Sequence, residues 1–156
     1  VLTAGKNTPS VIEIHPPFND YCDFNEFAER YCAFERKIRE VYADVIIVRL
    51  VENCKKAEYD KEVFLEQYEK LISYLNKSQK ASIILTTGFW RHPADDAIRE
   101  CAAKHHYKLC ELGDLGEQDE MKAIGLFAHS GVANHPGDLG MEAISNRIYD
   151  VLKEIM

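Results

Sequence analysis

The run at residues 45–51, with the sequence VIIVRLV, limits the fold of this chain more than any other segment. Most of its residues are β-branched, and such residues favour strands because their stiff side chains pack well on a pleated surface. A run that is apolar on both faces is typical of a parallel strand covered by helices on each side. The run therefore predicts the central strand of an α/β protein.

Three segments, at 24–42, 61–76 and 139–155, have inward-facing apolar residues at the spacing of an amphipathic helix. Val63 and Met141 belong to the predicted buried stripes of the second and last of these helices. A further helix is predicted from 93 to 105 or 106, because Pro93 and the acidic residues that follow it favour a first helical turn. Asp138 is available as the N-cap of the last helix.

Shorter apolar runs at 10–14, 82–87 and 107–112 predict three further strands. Strands that alternate with helices imply right-handed crossovers and a mostly parallel sheet. The sequence therefore predicts one soluble domain over 1–156, with a flavodoxin-like sheet in a three-layer α/β sandwich. Ligands of such folds bind beyond the carboxyl ends of the strands.

The composition agrees with a folded domain and excludes several partners. Hydrophobic residues make up 46% of the chain and charged residues 29%, as in ordinary globular proteins. The formal net charge of -7 gives no cationic surplus for phosphates, so nucleic acid is not an expected partner. No apolar run approaches the roughly 20 residues that span a bilayer, so a membrane is not expected either.

The five cysteines are odd in number and lack metal-ligand spacing. They predict no disulfide framework and favour a cytoplasmic location, with a periplasmic or secreted one left open. His105 and His106 are adjacent, so they point in different directions on a helix, and no carboxylate or cysteine pattern completes a metal site. No metal or cofactor is expected.

Three loops leave the carboxyl ends of predicted strands and should meet at one edge of the sheet. They are 52–54, 88–91 and the long segment 113–138. The last contains His135, which lies beside a proline and directly before a helix. A histidine there suits a general base, because its ordinary pKa is near 6.5. Histidines in loops are common, however, and without further evidence a loop residue that caps the helix is the simpler interpretation.

The sequence HPGDLGM at 135–141 resembles the last conserved block of SGNH (GDSL-type) hydrolases, in which the catalytic histidine precedes a proline. The sequence VIIVRLVEN at 45–53 resembles the third block, a strand running into Gly-x-Asn. TGFW at 87–90 and AIGLF at 123–127 also look like loops of one esterase subgroup. The resemblance covers residues 10–156.

This resemblance implies a serine esterase or deacetylase that acts through an acyl-enzyme on a small-molecule or carbohydrate ester. His135 matches the general base, and Asn53 matches the asparagine that donates to the oxyanion. Trp90 and Phe89 either wall the substrate cleft or fill the edge of the core. His129 is a further candidate for binding substrate.

The chain also departs from the family pattern. Residues 1–10 do not contain the Gly-Asp-Ser or Gly-Asn-Ser of the nucleophile block, so the esterase interpretation requires a serine from outside this sequence. Val132 occupies the position of the aspartate that orients the histidine, with His129, Asp114 or a backbone carbonyl as substitutes. Val51 replaces the glycine of Gly-x-Asn and is expected to crowd the strand end.

Two other interpretations remain. A relative that has lost its nucleophile would keep the fold as a binding or interaction module. A flavodoxin-like mononucleotide-binding protein would need a phosphate loop after the first strand, where the sequence has two prolines. Ser130 and Cys54 are weaker candidates for a nucleophile, and the sequence leaves the oligomeric state open.

Overall fold

The computed structural model describes residues 11–14, 43–54, 56–76 and 79–156. The predicted helix at 24–42 lies outside these residues. The described strands form one parallel sheet in the order β1-β2-β3-β4. They are β1 Val11–Ile14, β2 Val45–Val48, β3 Ser82–Thr86 and β4 Lys108–Cys110. All four predicted strands are confirmed, and the chain is an α/β protein with a small parallel sheet.

The strand in the run 45–51 ends earlier than predicted. β2 stops at Val48, and Val51–Asn53 forms a turn of 3-10 helix. Periodicity could not show this end, because Leu50 and Val51 continue the apolar run beyond the last residue of the strand. Val51 is completely buried although it lies outside the strand.

Three predicted helices are confirmed, namely α1 Lys61–Leu75, α2 Ala94–His105 and α4 Asp138–Lys153. A short helix that was not predicted, α3 Ser130–Ala133, lies within the segment expected to be a long loop. Asp60 caps α1 by accepting a hydrogen bond from the backbone N–H of Val63 at 2.9 Å. Asp138 is the first residue of α4 rather than its N-cap, which is Gly137, and no side chain caps this helix. The N-cap prediction was therefore wrong by one residue.

Helices pack on both faces of the sheet. Alternate strand residues face opposite sides because the side chains of a strand alternate in direction. Ile46 and Leu85 belong to a core cluster that also contains buried residues of α1 and α2. Ile47 and Ile84 belong to a second cluster that also contains Ile144 of α4. The central apolar strand is thus covered on each side, as its composition predicted.

Two residues predicted to be buried are exposed. Val63 lies in the first turn of α1 and is 51% exposed, and Met141 of α4 is 52% exposed. The buried side of α4 contains Gly140 and Ile144 instead. Glycine at position 140 allows the backbone of Met121 to approach the start of α4 closely. The position of this helix start therefore depends on a backbone contact that hydrophobic periodicity does not show.

One of the cysteines forms a disulfide, although the sequence predicted no disulfide framework. This residue is Cys54. Cys101 and Cys110 are free and buried. Stable disulfides form mainly in oxidising compartments, so the cysteine count no longer favours the cytoplasm. In the part of the chain that is described, no helix has the length and apolar character needed to cross a bilayer.

Candidate functional site

The turn after β2 packs directly against the loop after β3. Gly88 follows that strand, and a Cβ atom added to it would lie 2.8 Å from Cγ1 of Val51 and 2.9 Å from the backbone oxygen of Trp90. Only glycine leaves enough room there. The valine at position 51, which was expected to crowd the strand end, is accommodated because residue 88 has no side chain.

Glu52 joins the same two loops by hydrogen bonds. Its Oε1 atom accepts from the backbone N–H of Phe89 at 3.2 Å and from two nitrogens of Arg49 at 2.9 and 2.6 Å. The Arg49 and Glu52 side chains are 11% and 16% exposed. A largely buried carboxylate with these donors fixes the loop after β3 relative to the turn that contains Asn53.

Asp95 in the first turn of α2 orders the remainder of the 88–91 loop. Its buried carboxylate accepts from the backbone N–H of Gly88 at 3.2 Å and from that of His92 at 2.8 Å. Both carboxylate oxygens are therefore used by the backbone. The acidic residue after Pro93 was read from the sequence as a helix-start signal, and the structure shows that it also shapes the candidate site loop.

His92 connects this loop to the turn after β2. Its Nδ1 atom accepts from the backbone N–H of Ala94 at 3.0 Å, so the proton of the neutral ring is on Nε2. Nε2 then donates to the backbone oxygen of Cys54 at 3.0 Å. Burial lowers the pKa of His92, although the Cys54 carbonyl opposes the shift. A protonated ring would lose the hydrogen bond from Ala94.

We expect this histidine to make folding stability depend on pH. The native pKa is depressed, so below the unfolded pKa near 6.5 the unfolded state binds a proton that the native state does not. Stability is therefore complete above about pH 6.5 and falls as the pH drops towards the native pKa, by at most about 1.4 kcal/mol per pH unit. Urea unfolding between pH 7 and pH 5 measures the slope. His92→Asn, whose Oδ1 can still accept from the N–H of Ala94, should reduce the slope of the unfolding free energy against pH. An unchanged slope would show that other groups cause the pH dependence.

The loop after β4 closes over the loop after β3. The backbone N–H of Gly116 donates to the backbone oxygen of Phe89 at 2.9 Å, and a Cβ at Gly116 would lie only 2.3 Å from that oxygen. Arg91 forms an ion pair with Glu117 at 2.6 Å. The three loops that were predicted to meet at one edge of the sheet therefore do so.

His135 is positioned by a short antiparallel pairing within the long loop. Its backbone oxygen accepts from the N–H of Ala123 at 2.9 Å, and the N–H of Gly137 donates to the oxygen of Met121 at 2.9 Å. Lys122 and Pro136 form the β-bridge between these two bonds. The backbone on both sides of the histidine is thus fixed, while its side chain is exposed.

The imidazole of His135 contacts Trp90. The two rings meet edge to face with centroids 5.1 Å apart. The indole Nε1 of Trp90 donates to the backbone oxygen of Asn134 at 3.2 Å, which fixes the tryptophan against the histidine loop. Trp90 is half-buried and packs on Phe89 with ring centroids 5.3 Å apart. This places Trp90 beside the candidate base.

Phe89 does not share that position. It is completely buried in the core cluster that contains Ile144, so in this structure its ring fills the core edge and does not wall a cleft. The backbone of Asn53 lies in the 3-10 turn after β2, and its side chain lies outside the described atoms.

Among the described residues, neither side chain considered as a partner for His135 forms a hydrogen bond or ion pair with it. Asp114 binds Arg147 through both carboxylate oxygens, one of them at 2.7 Å, and that guanidinium lowers the pKa of the carboxyl. His129 is the N-cap of α3, where its Nδ1 accepts from the backbone N–H of Val132 at 3.4 Å. Among the described residues, the His135 side chain makes no hydrogen bond to a carboxylate.

A polar cavity of about 330 Å³ lies at the same end of the sheet. Its walls come from the start of α2 and the loops after β3 and β4. They include Arg91, Asp95, Arg99, Glu111 and Asp114. Most of these charges are already paired, as in the two-fold contact of Arg99 with Glu111 at 2.7 and 2.9 Å. The cavity is polar without an excess of free charge.

Comparison with protein-family models, with curated proteins and with solved structures finds no match to this chain.

Proposed function

We propose that this protein is an SGNH-like esterase or deacetylase that hydrolyses an acyl ester of a small molecule or carbohydrate. In this proposal the α/β fold is a flavodoxin-like three-layer sandwich. His135 acts as the general base, and Asn53 donates to the oxyanion. Trp90 lies against the substrate, and the nucleophilic serine comes from chain outside these 156 residues.

One observation carries the proposal: His135 lies exposed on a rigid backbone at the carboxyl edge of a parallel sheet, against Trp90. A continuous set of contacts joins it to the turn of Asn53, through Trp90, Phe89 and Glu52. Ester hydrolysis needs a base beside the nucleophile and a donor aimed at the developing negative charge. The two candidates for these roles therefore belong to one connected edge of the fold.

The chemistry needs only water and the ester. The base removes the proton of the serine hydroxyl as its oxygen attacks the ester carbonyl, and it returns that proton to the departing alcohol. Water then attacks the acyl-enzyme, losing a proton to the same histidine, which passes that proton to the serine oxygen as the acid is released. An exposed imidazole supported by backbone hydrogen bonds suits both proton transfers.

A second candidate function is a catalytically inactive binding module with the same fold. The observation that favours it is the pairing of Asp114 with Arg147, which leaves no described carboxylate to orient the ring of His135. In a serine hydrolase triad the acid holds the imidazole in the required tautomer and stabilises its charged form. A module that only binds its ligand needs neither effect.

The experiment that separates the two functions is covalent labelling of the full-length protein. Treatment with a fluorophosphonate, followed by peptide mass spectrometry, should identify one labelled serine, and p-nitrophenyl acetate should be hydrolysed. Prior labelling should abolish that hydrolysis. A folded protein with neither a label nor turnover would support the binding module and would exclude the esterase.

A further inference from the structure

The structure brings together three potential metal ligands at the end of α2 remote from the candidate active site. Glu69 extends from α1, and Cys101 and His105 lie one helical turn apart on α2. One ligand atom from each residue lies within 4.8 Å of the other two. His105 Nε2 is 3.1 Å from Glu69 Oε1. From this geometry we infer a Zn²⁺ site formed by Glu69, Cys101 and His105.

The spacing of these atoms is close to what a tetrahedral ion requires. With Zn²⁺ bonds of about 2.0–2.3 Å, tetrahedral ligand atoms are separated by roughly 3.5 Å. Small rotations of the side chains would therefore bring the three atoms onto one ion. Residues four apart on a helix share a face, which is why Cys101 and His105 converge whereas the adjacent His106 does not.

The kind of ligand selects the kind of ion. A thiolate with an imidazole and a carboxylate suits Zn²⁺, whereas Mg²⁺ and Ca²⁺ prefer oxygen ligands only. Three protein ligands leave the fourth position of the ion for water. His105 and Glu69 have side chains 34% and 27% exposed, so an ion can approach from their side while Cys101 lies beneath them in the core.

The surroundings restrict the imidazole before the ion arrives. The ring of Tyr107 stacks on that of His105 with centroids 5.2 Å apart and an interplanar angle of 14°. Stacking of this kind limits rotation of the imidazole, whose Nε2 already faces Glu69. A ligand held in its binding orientation loses less conformational entropy when the ion binds.

Two groups compete with the ion. Lys104 donates to both oxygens of Glu69, at 2.8 and 3.0 Å, and its positive charge repels an ion bound to that carboxylate. The second is the thiol proton of buried Cys101, which Zn²⁺ displaces to solvent as the Zn–S bond forms.

The first test is titration of the purified, metal-free protein with Zn²⁺, and with Co²⁺ as a spectroscopic probe. We expect one ion per chain, a thiolate-to-cobalt charge-transfer band, and no binding of Mg²⁺. His105→Asn should weaken Zn²⁺ binding at least about tenfold. His106→Asn is the matched control, because asparagine tolerates the left-handed backbone at φ 56° and residue 106 lies outside the cluster.

Lys104→Gln gives the opposite expectation. It removes the ammonium that occupies Glu69 and should tighten Zn²⁺ binding, which a site elsewhere on the chain would not show. Cys101→Ser should abolish the charge-transfer band. If that variant does not fold because residue 101 is buried, the comparison of His105→Asn with His106→Asn still tests the site, since both histidines are exposed. Absence of Zn²⁺ binding, or equal affinity in His105→Asn and His106→Asn, would overturn the proposal. These results do not depend on esterase activity.

Discussion

Replacement of His135 with alanine is expected to lower kcat for ester hydrolysis by about 10²–10⁴-fold, the usual contribution of a general base. The His135 side chain is exposed and its only described ring contact is with Trp90, so its removal should change stability little. The backbone bonds that fix the loop do not use the imidazole. Steady-state kinetics with p-nitrophenyl acetate on the full-length protein measure the effect.

The control for this prediction is His106→Asn, which changes an exposed histidine remote from the carboxyl edge of the sheet. It should keep the wild-type kcat. The two variants should unfold at similar temperatures, so that a loss of activity in His135→Ala cannot come from unfolding. If His135→Ala keeps full activity while fluorophosphonate still labels a serine, the esterase has a different base and the assignment of His135 is wrong.

Gly140→Ala is expected to destabilise the protein although alanine is the better helix former. In an open helix the change would gain about 1 kcal/mol. Here the new Cβ would lie 2.1 Å from the backbone oxygen of Met121, which also accepts from Gly137. Backbone cannot move aside cheaply, so we expect a net loss of about 1–3 kcal/mol. Thermal unfolding should show a decrease of about 2–4 °C for each kcal/mol.

The same change should also reduce activity, because Met121 and Ala123 pair with the backbone of His135 and Gly137. Gly131→Ala is the matched control. Its Cβ would meet only the imidazole end of His129, at 2.9 Å, and a side chain can rotate away. Gly131→Ala should stay within about 1 kcal/mol of wild type. Equal stability of the two variants would show that α4 can shift away from the long loop.

The candidate site was only partly predictable from the sequence. Loops at the carboxyl ends of parallel strands must share an edge, so the meeting of 52–54 with 88–91 followed from the strand order. The contacts of Asp95 and His92 with backbone were not foreseen, because a helix-start aspartate and a loop histidine have no periodic signature. The sequence did contain one related signal, since Pro93 is followed by acidic residues in the first turn, and this combination marks the start of a helix.

The sequence by itself determined which described segments form strands and helices, and most of their buried faces. The run at 45–51 contains the strand Val45–Val48, which is covered on both sides, and the helices at Lys61–Leu75 and Ala94–His105 begin and end close to the predicted bounds. These properties depend on residues near one another in the chain, whose periodicity matches the repeat of a strand or helix.

Only the tertiary structure decided which residues meet. It placed Gly88 against Val51 and the ring of Trp90 against His135. It also brought Glu69 to Cys101 and His105, three residues that the sequence did not indicate as a group. Cys54 is disulfide-bonded, although the cysteine pattern predicted no disulfide framework. Each of these contacts depends on how elements distant in sequence pack together. A local pattern of residues does not show which distant residues come into contact.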